Sequence, residues 1–308
     1  MSAQRLTFKA QMVQVSVPAT SANLGPGFDS FGLALEMRDR YAAQILDEAT
    51  FDVDVSGESS EDVKKDKSHL VIKSMLRGFE FMGQKPRGIA LRALNVTPHG
   101  RGLGSSSSAI VGGLALAREL VLGGDQLMSR DEMMFLAADL EGHPDNVAAA
   151  IFGGATISWF ENIYGVNTGR AVGIPVHPEI KAIVFIPPTH LATTKARKLL
   201  PENILHRDAV LNSSHTALLT VALSTRPDLL LTATEDFLHQ NSRSSAYPKS
   251  MALVEKLRSA GAAATISGSG PSVLVLTTAT GTEIQEILNT AENGFIPQEL
   301  AISRSGVE

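Results

Sequence analysis

The sequence predicts an α+β fold, and three observations carry that reading. Short alternating segments and longer segments of helical period are mixed along the chain without strict alternation. Hydrophobic residues make up 44% of 308, ample for a sizeable core. The segment 162–173 is poor in core residues, which divides the chain into domains 1–165 and 166–308.

In the first domain, residues 12–17 alternate and read as a strand, and 18–29, rich in Thr, Ser, Asn, Gly and Pro, as a loop. Strands are expected over 31–35, 40–46 and 51–55, a charged surface loop over 59–67, a helix over 69–81 and a strand over 88–96. Ser129-Arg130-Asp131-Glu132 is a capping box that opens a helix with Met133, Leu136, Ala137 and Leu140 on its apolar side. Pro144 ends that helix or opens the next turn. Gly153-Gly154 stops a short helix, and 155–160 reads as a strand. In the second domain, strands are expected over 181–186, 262–266 and 273–277, with a last short strand at the end. Helices are expected over 194–200, 209–223, 228–239, 251–259 and 283–290.

Composition excludes several function classes. The net charge of −5 argues against nucleic acid as the main partner. Cysteine is absent, which removes disulfides, thiolate metal sites and a cysteine nucleophile, and suits a reducing cytosol. No apolar run approaches the ~20 residues of a membrane helix; the longest candidate, 109–122, is broken by Arg118 and Glu119. Met1-Ser2-Ala3-Gln4-Arg5 carries no export-signal core. The expectation is a soluble cytoplasmic protein.

The segment with most chemical content is Pro98-His99-Gly100-Arg101-Gly102-Leu103-Gly104-Ser105-Ser106-Ser107-Ser108-Ala109. Its alternate glycines allow close backbone approach to a ligand and turn N–H groups inward. The serines open a helix whose Ile110, Leu114, Ala117 and Val121 share a core face. A helix start adds free N–H donors, partial positive charge and, here, hydroxyls for phosphate or metal. A flexible linker would not be followed at once by a buried helix. The Walker A pattern fails, because Gln84 follows Gly78 and Gly83 where lysine is required, and the dinucleotide fingerprint fails at Ser107. No G-x-S-x-G elbow or H-E-x-x-H zinc motif occurs.

Glu141-Gly142-His143-Pro144-Asp145-Asn146 falls at a helix end, where a carboxylate opposes the helix dipole unless a cation sits nearby. Mg²⁺ beside nucleotide phosphates would be such a cation. Taken alone, 18–29 and Ser267-Gly268-Ser269-Gly270-Pro271 are loops, and Arg197 and Arg243 are solvated arginines.

Taken together and in this order, the motifs resemble the GHMP kinases, ATP-dependent kinases of small alcohols. The loop from Pro98 resembles that family's ATP loop, and Ser267–Pro271 its C-terminal glycine-rich motif. Residues 18–29, 141–146 and 193–201 resemble the branch that acts on L-homoserine. The resemblance implies a ribosomal-protein-like N-terminal domain and a ferredoxin-like C-terminal domain with the active site between them. It implies transfer of the ATP γ-phosphate to the homoserine hydroxyl, a step toward threonine.

Residue by residue, it implies ATP contacts at Pro98, His99, Gly100, Arg101, Gly102, Leu103, Gly104, Ser105, Ser106, Ser107 and Ser108, and Mg²⁺ ligation by Ser106 and Glu141. Asn23, Asp29, His143 and Arg243 would surround homoserine, with Asp29 answering the ammonium. Arg197 would lie near both the substrate carboxylate and the phosphates. Asn146 stands where other GHMP kinases carry an aspartate base, and an amide is no base at neutral pH. Catalysis would then rest on positioning and charge neutralisation by Asn146, Arg197 and the metal. His69 stands where the resembled adenine-side motif has Asn, and Asn241-Ser242-Arg243 where a Pro-Tyr-Arg-like run is expected. The partners expected are L-homoserine and, as an open option, a second copy of the chain; neither nucleic acid nor membrane is expected. The rival readings are a GHMP kinase for another alcohol such as mevalonate, a non-catalytic sensor of the same fold, and, more remotely, a serine hydrolase.

Overall fold

The computed structural model describes residues 6–308, so the reading of Met1–Arg5 lies outside the described residues. The first half is built on one long strand. β1 (Val13–Ala22) pairs antiparallel with β2 (Phe31–Leu46), and β2 goes on to pair with β4 (Gly88–Asn95) and β5 (Ala155–Ile163). Two expected strands, 31–35 and 40–46, are therefore one. A register shift at Pro18/Ala19 bends the β1–β2 ladder instead of ending it, which suits a proline without an N–H to donate. The expected loop 18–29 starts late for the same reason, since β1 runs on to Ala22.

β3 (Phe51–Gly57) is followed by α1 (Leu70–Phe81) and by β4 (Gly88–Asn95), which lies parallel to β3, so α1 is a crossover. His69 caps α1, its Nδ1 accepting the Val71 N–H at 3.3 Å. α2 (Ser105–Leu120) packs on α1, and its small residues permit the contact: a Cβ on Gly113 would strike the Val71 carbonyl. After the short α3 (Gly124–Leu127), the capping box of Ser129 and Glu132 forms at the start of α4 (Arg130–Glu141). Pro144 precedes α5 (Asp145–Phe152), and β5 (Ala155–Ile163) and β6 (Val166–Ile174) complete a six-stranded sheet in the order β3-β4-β2-β5-β6, with β1 paired to β2 off that path.

The division expected at residue 165 is corrected by the structure. Tyr164-Gly165, both at positive φ, form a two-residue hairpin turn between Ile163 and Val166. The segment 162–173 is poor in core residues because β6 is a half-exposed sheet edge, not because it is a linker. The two sheets divide between Ile174 and Lys181.

The second half is built on an antiparallel sheet in the order β10 (Ile296–Leu300), β7 (Lys181–Ile186), β9 (Val273–Thr277) and β8 (Ala263–Ile266). It comprises β7 (Lys181–Ile186), α6 (Thr193–Arg197), α7 (His206–Ser224), α8 (Leu230–Ala233), α9 (Pro248–Ser259), β8 (Ala263–Ile266), β9 (Val273–Thr277), α10 (Thr282–Leu288) and β10 (Ile296–Leu300). Alternation along its strands divides two cores. Ile183, Phe185, Val273 and Val275 pack with Leu253 of α9 and Ile284 of α10. Val184 and Leu274 face the other way, joining Leu219 of α7 to Phe31, Leu33 and Leu103 of the first half. The halves thus share a continuous apolar seam. The helix expected over 228–239 breaks after Ala233, where the Asp236 carboxylate accepts the N–H groups of Leu238, His239 and Gln240 at 2.7–3.0 Å. Among the described residues no helix is long and apolar enough to cross a membrane.

Candidate active site

The glycine loop runs from the end of β4 to the start of α2 along the seam. Gly100, Gly102 and Gly104 take φ of 64°, 73° and 73°, left-handed conformations that turn successive N–H groups to one side. Two of these glycines are also needed for space. A Cβ on Gly102 would strike the Ser267 carbonyl, and one on Gly104 the Thr20 hydroxyl. The second glycine-rich loop closes over the first: Ser267 Oγ donates to the Gly102 carbonyl at 2.6 Å and lies in hydrogen-bond contact with Ser21 Oγ at 2.8 Å, and the Ser272 N–H donates to the Arg101 carbonyl at 3.2 Å.

The loop residues divide by direction. Gly100, Gly102, Gly104, Ser105 and Ser106 line a cavity of about 180 Å³ between the halves. His99, with Gly100, Ser105 and Ser106, lines a second of about 350 Å³, which His69 and Tyr41 also border. Five others expected to touch the nucleotide line neither cavity. Pro98 and Leu103 are buried, and Arg101 donates to the carbonyls of Pro187, His99 and Pro188 at 2.9–3.1 Å. Ser107 and Ser108 are fully buried; their hydroxyls bond Glu141 at 3.0 Å and Asp39 at 2.6 Å. This is geometry a helix imposes: successive residues turn by about 100°, so four serines in a row cannot face one ligand.

Glu141 is the last residue of α4, where its charge opposes the dipole. Its Oε1 accepts Ser106 Oγ at 2.5 Å, so the two expected metal ligands adjoin each other at the cavity. His143 Nδ1 lies 2.7 Å from Asp145 Oδ1. Burial works against a charged imidazole there, but the hydrogen bond and charge of Asp145, with Glu141, outweigh it and raise the His143 pKa. Asn146 is held on both sides of its amide: Oδ1 accepts Thr20 Oγ1 at 2.8 Å, and Nδ2 donates to Asp145 Oδ1 at 3.3 Å.

The loop from Asn23 to Asp29 is strained. Asn23, Leu24 and Asp29 all have positive φ, a feature that clusters at functional sites. Asn23 Nδ2 donates to the Gly268 carbonyl at 2.8 Å and its Oδ1 accepts the Asp29 N–H at 3.0 Å, so it ties this loop to the second glycine loop. Asp29 and Arg197 meet as a two-pronged pair, at 2.6 and 2.9 Å. The hydrogen bond to Asp29 is the foremost reason the Arg197 pKa is raised. Arg243 is 1% exposed and its Nε finds no hydrogen-bond partner among the described residues. Its guanidinium stands 5.1 Å from the centre of the Phe28 ring, with Arg197 at 5.7 Å from the same ring and His239 stacked on it at 5.0 Å.

The structure therefore brings Asn23, Asp29, Ser106, Glu141, His143, Asn146, Arg197 and Arg243 to one cavity. Phe28 and Asp145, to which the sequence motifs assign no role, line it too. Asp145 carried a readable signal, an acid at the start of a helix two residues beyond a histidine. Phe28 carried none beyond its place in a motif.

A bowl of backbone N–H groups at a helix start, roofed by a loop from the opposite half, suits a phosphate-bearing ligand held between two α+β halves. Residues 69–154 match the family described as GHMP kinases N terminal domain, and residues 222–294 that described as GHMP kinases C terminal. The chain belongs to the GHMP kinase family. It is 44% identical over 299 residues to a homoserine kinase of Streptomyces avermitilis, covering 97% of this chain and 96% of that one. It is 41% identical over 306 residues to a homoserine kinase of Mycobacterium tuberculosis, covering 99% and 96%. A crystal structure of homoserine kinase from Cytophaga hutchinsonii superposes with a TM-score of 0.83 at 26% identity, covering 99% of each chain.

Proposed function

We propose that the protein transfers the γ-phosphoryl group of ATP to the side-chain hydroxyl of L-homoserine, giving O-phospho-L-homoserine for threonine synthesis in the cytoplasm. The observation that carries the acceptor is Arg243. A buried guanidinium with an unpartnered Nε calls for an anion, and beside it Asp29 offers the opposite charge. Paired charges of this kind suit an amino acid, whereas mevalonate has a carboxylate and no ammonium. The names of the relatives support the same acceptor. The lining of catalytic groups at Ser106, Glu141 and Asn146 disfavours a sensor that has lost its chemistry.

In this reading the glycine-loop N–H groups and the α2 start hold the phosphates, and the cavity bordered by His69 and Tyr41 receives the base. Burial foremost holds the pKa of His69 and of His99 below the usual histidine value, so both are neutral at physiological pH. The homoserine carboxylate falls to Arg243 and Arg197 and its ammonium to Asp29. The acceptor oxygen attacks the γ-phosphorus, the bond to the β,γ-bridging oxygen breaks, and the hydroxyl proton passes to a phosphoryl oxygen.

No side chain is needed as base. Asn146 cannot take a proton, and His143 is kept cationic to higher pH than a free imidazole. Asn146 orients the hydroxyl, and Arg197 neutralises charge. Ser106 and Glu141 fit Mg²⁺: both donors are hard oxygens, they adjoin each other, and a cation there would relieve the carboxylate at the α4 terminus. The metal, when held by them, would offset the phosphate charge. ADP release measured with homoserine, mevalonate, galactose and shikimate tests the proposal. Turnover restricted to homoserine is expected, and preference for any other acceptor refutes it.

A further inference from the structure

Asp39 is a buried carboxylate, 1% exposed, that the reaction above does not use. It lies on β2 one residue before the β2–β4 ladder reaches its Arg40–Leu94 pair. Its Oδ1 accepts the N–H groups of Val96 and Thr97 at 2.7 and 2.8 Å, where the chain leaves β4 for the glycine loop. Its Oδ2 accepts Ser108 Oγ at 2.6 Å, where the loop has become α2, and Tyr41 Oη at 3.2 Å. Tyr41 and Ser108 are themselves 3.1 Å apart. Burial foremost, then the Asp39 charge, drives the Tyr41 pKa far up, so its hydroxyl remains a donor. Tyr41 is also wedged against α2, where a Cβ on Gly112 would strike its ring.

We propose that Asp39 is a positioning residue for the nucleotide: one carboxylate ties both ends of the glycine loop together and sets the span of the phosphate bowl. In mid-loop the carbonyls of Gly102 and Arg101 are held by the second glycine loop, and Asp39 fixes the two ends of the first. That first loop's three glycines at positive φ give it great freedom in the absence of ties. A bowl of N–H groups binds phosphate only if those groups are held in place beforehand. Hydrogen bonds to a buried charge are the strong kind, and here two go to one end of the loop and one to the other. Ser108 thus contributes to phosphate binding from the far side of α2, without touching the ligand.

The proposal makes a signed prediction, because it opposes simple electrostatics. Asp39 is a negative charge behind a site for anions, so removing that charge should tighten ATP binding if charge were all that mattered. Positioning predicts the reverse. The inference rests on the ATP reading above, which titration of wild-type protein with ATP tests first and separately. Asp39→Asn and Ser108→Ala are then compared by calorimetry, with ATP and with homoserine in separate titrations. The expected result is an ATP Kd about tenfold weaker in each variant, about 1.4 kcal/mol, with the homoserine Kd within twofold of wild type. If Asp39→Asn does not fold, Ser108→Ala decides the matter alone, since it removes one tie and no charge. ATP affinity unchanged or tightened, or equal losses for both ligands, would overturn the proposal.

Discussion

Asp29 and Arg197 lie 168 residues apart in sequence and form a two-pronged ion pair across the seam, with contacts of 2.6 and 2.9 Å. Each carries the charge that one end of a zwitterion would seek. In the proposed reading an amino-acid acceptor would enter by exchange, its ammonium for the Arg197 side of the pair and its carboxylate for the Asp29 side. The site thereby avoids leaving either charge unpaired.

That exchange depends on the planar fork of arginine. Arg197→Lys keeps the charge and loses the fork. Hydrogen bonds to charged groups are worth up to about 3 kcal/mol, so kcat/KM for homoserine should fall about 100-fold, while the melting temperature changes little because the pair is one-third exposed. Steady-state kinetics against homoserine check this; a fall under threefold would remove Arg197 from acceptor recognition.

Phe28 should matter through the arginines that lean on it. Cation–π contacts are worth about 0.5–2 kcal/mol, so Phe28→Leu is expected to raise the homoserine KM about tenfold and Phe28→Tyr to restore it. The carboxyl-reduced analogue of homoserine supplies the control. If the ring acts through the carboxylate-binding arginines, the analogue's KM should be nearly the same in all three proteins.

Glu141 should show opposite effects on stability and activity. Glu141→Gln removes a carboxylate from a helix C-terminus, which stabilises by about 0.3–1 kcal/mol while Ser106 and Ser107 keep an acceptor. Turnover should drop about 100-fold or more, in line with lost electrostatic stabilisation, with a raised Mg²⁺ requirement. Thermal melts and Mg²⁺ titrations measure both. Full activity at limiting Mg²⁺ would exclude Glu141 as a ligand.

Gly104 tests the bowl itself. Gly104→Ala puts a Cβ against Thr20, whose hydroxyl donates to Asn146, and holds alanine at a φ of 73°. The left-handed conformation costs about 1–2 kcal/mol. ATP binding should be lost by calorimetry while far-ultraviolet circular dichroism stays native. Normal ATP affinity would show that the glycine loop is only a connection.

His143 has a folded pKa above its unfolded value of about 6.5. The stability it contributes is therefore fully present below about pH 6.5 and is lost as pH rises through the folded value. The melting-temperature difference between wild type and His143→Gln should be larger at pH 6 than at pH 9. In kinetics, His143→Gln should raise the homoserine KM. An acid limb in the kcat profile of wild type that this substitution abolishes, along with most of the rate, would instead make His143 the base.

Local chemistry decided what was legible in the sequence. The capping box of Ser129, the apolar face of α2, the glycine loop at its start and the misplaced charge of Glu141 each rest on contacts within a turn or two. Such features can be read from spacing alone. The hairpin of β5 and β6 reads as a boundary in sequence because an edge strand with a solvent face has the composition of a linker, and only its pairing partner tells the two apart.

The sequence by itself determined that a glycine loop opens a buried helix, and motif order pointed to its family. Only the tertiary structure decided which side chains face the bowl. Ser106 and Ser108 are the same residue type on the same helix, yet one meets Glu141 at the cavity and the other meets Asp39 in the core. Arg243 likewise reads as a surface arginine until the fold buries it against Phe28. Helix rotation and long-range closure set these directions, and neither is encoded in any short stretch of residues.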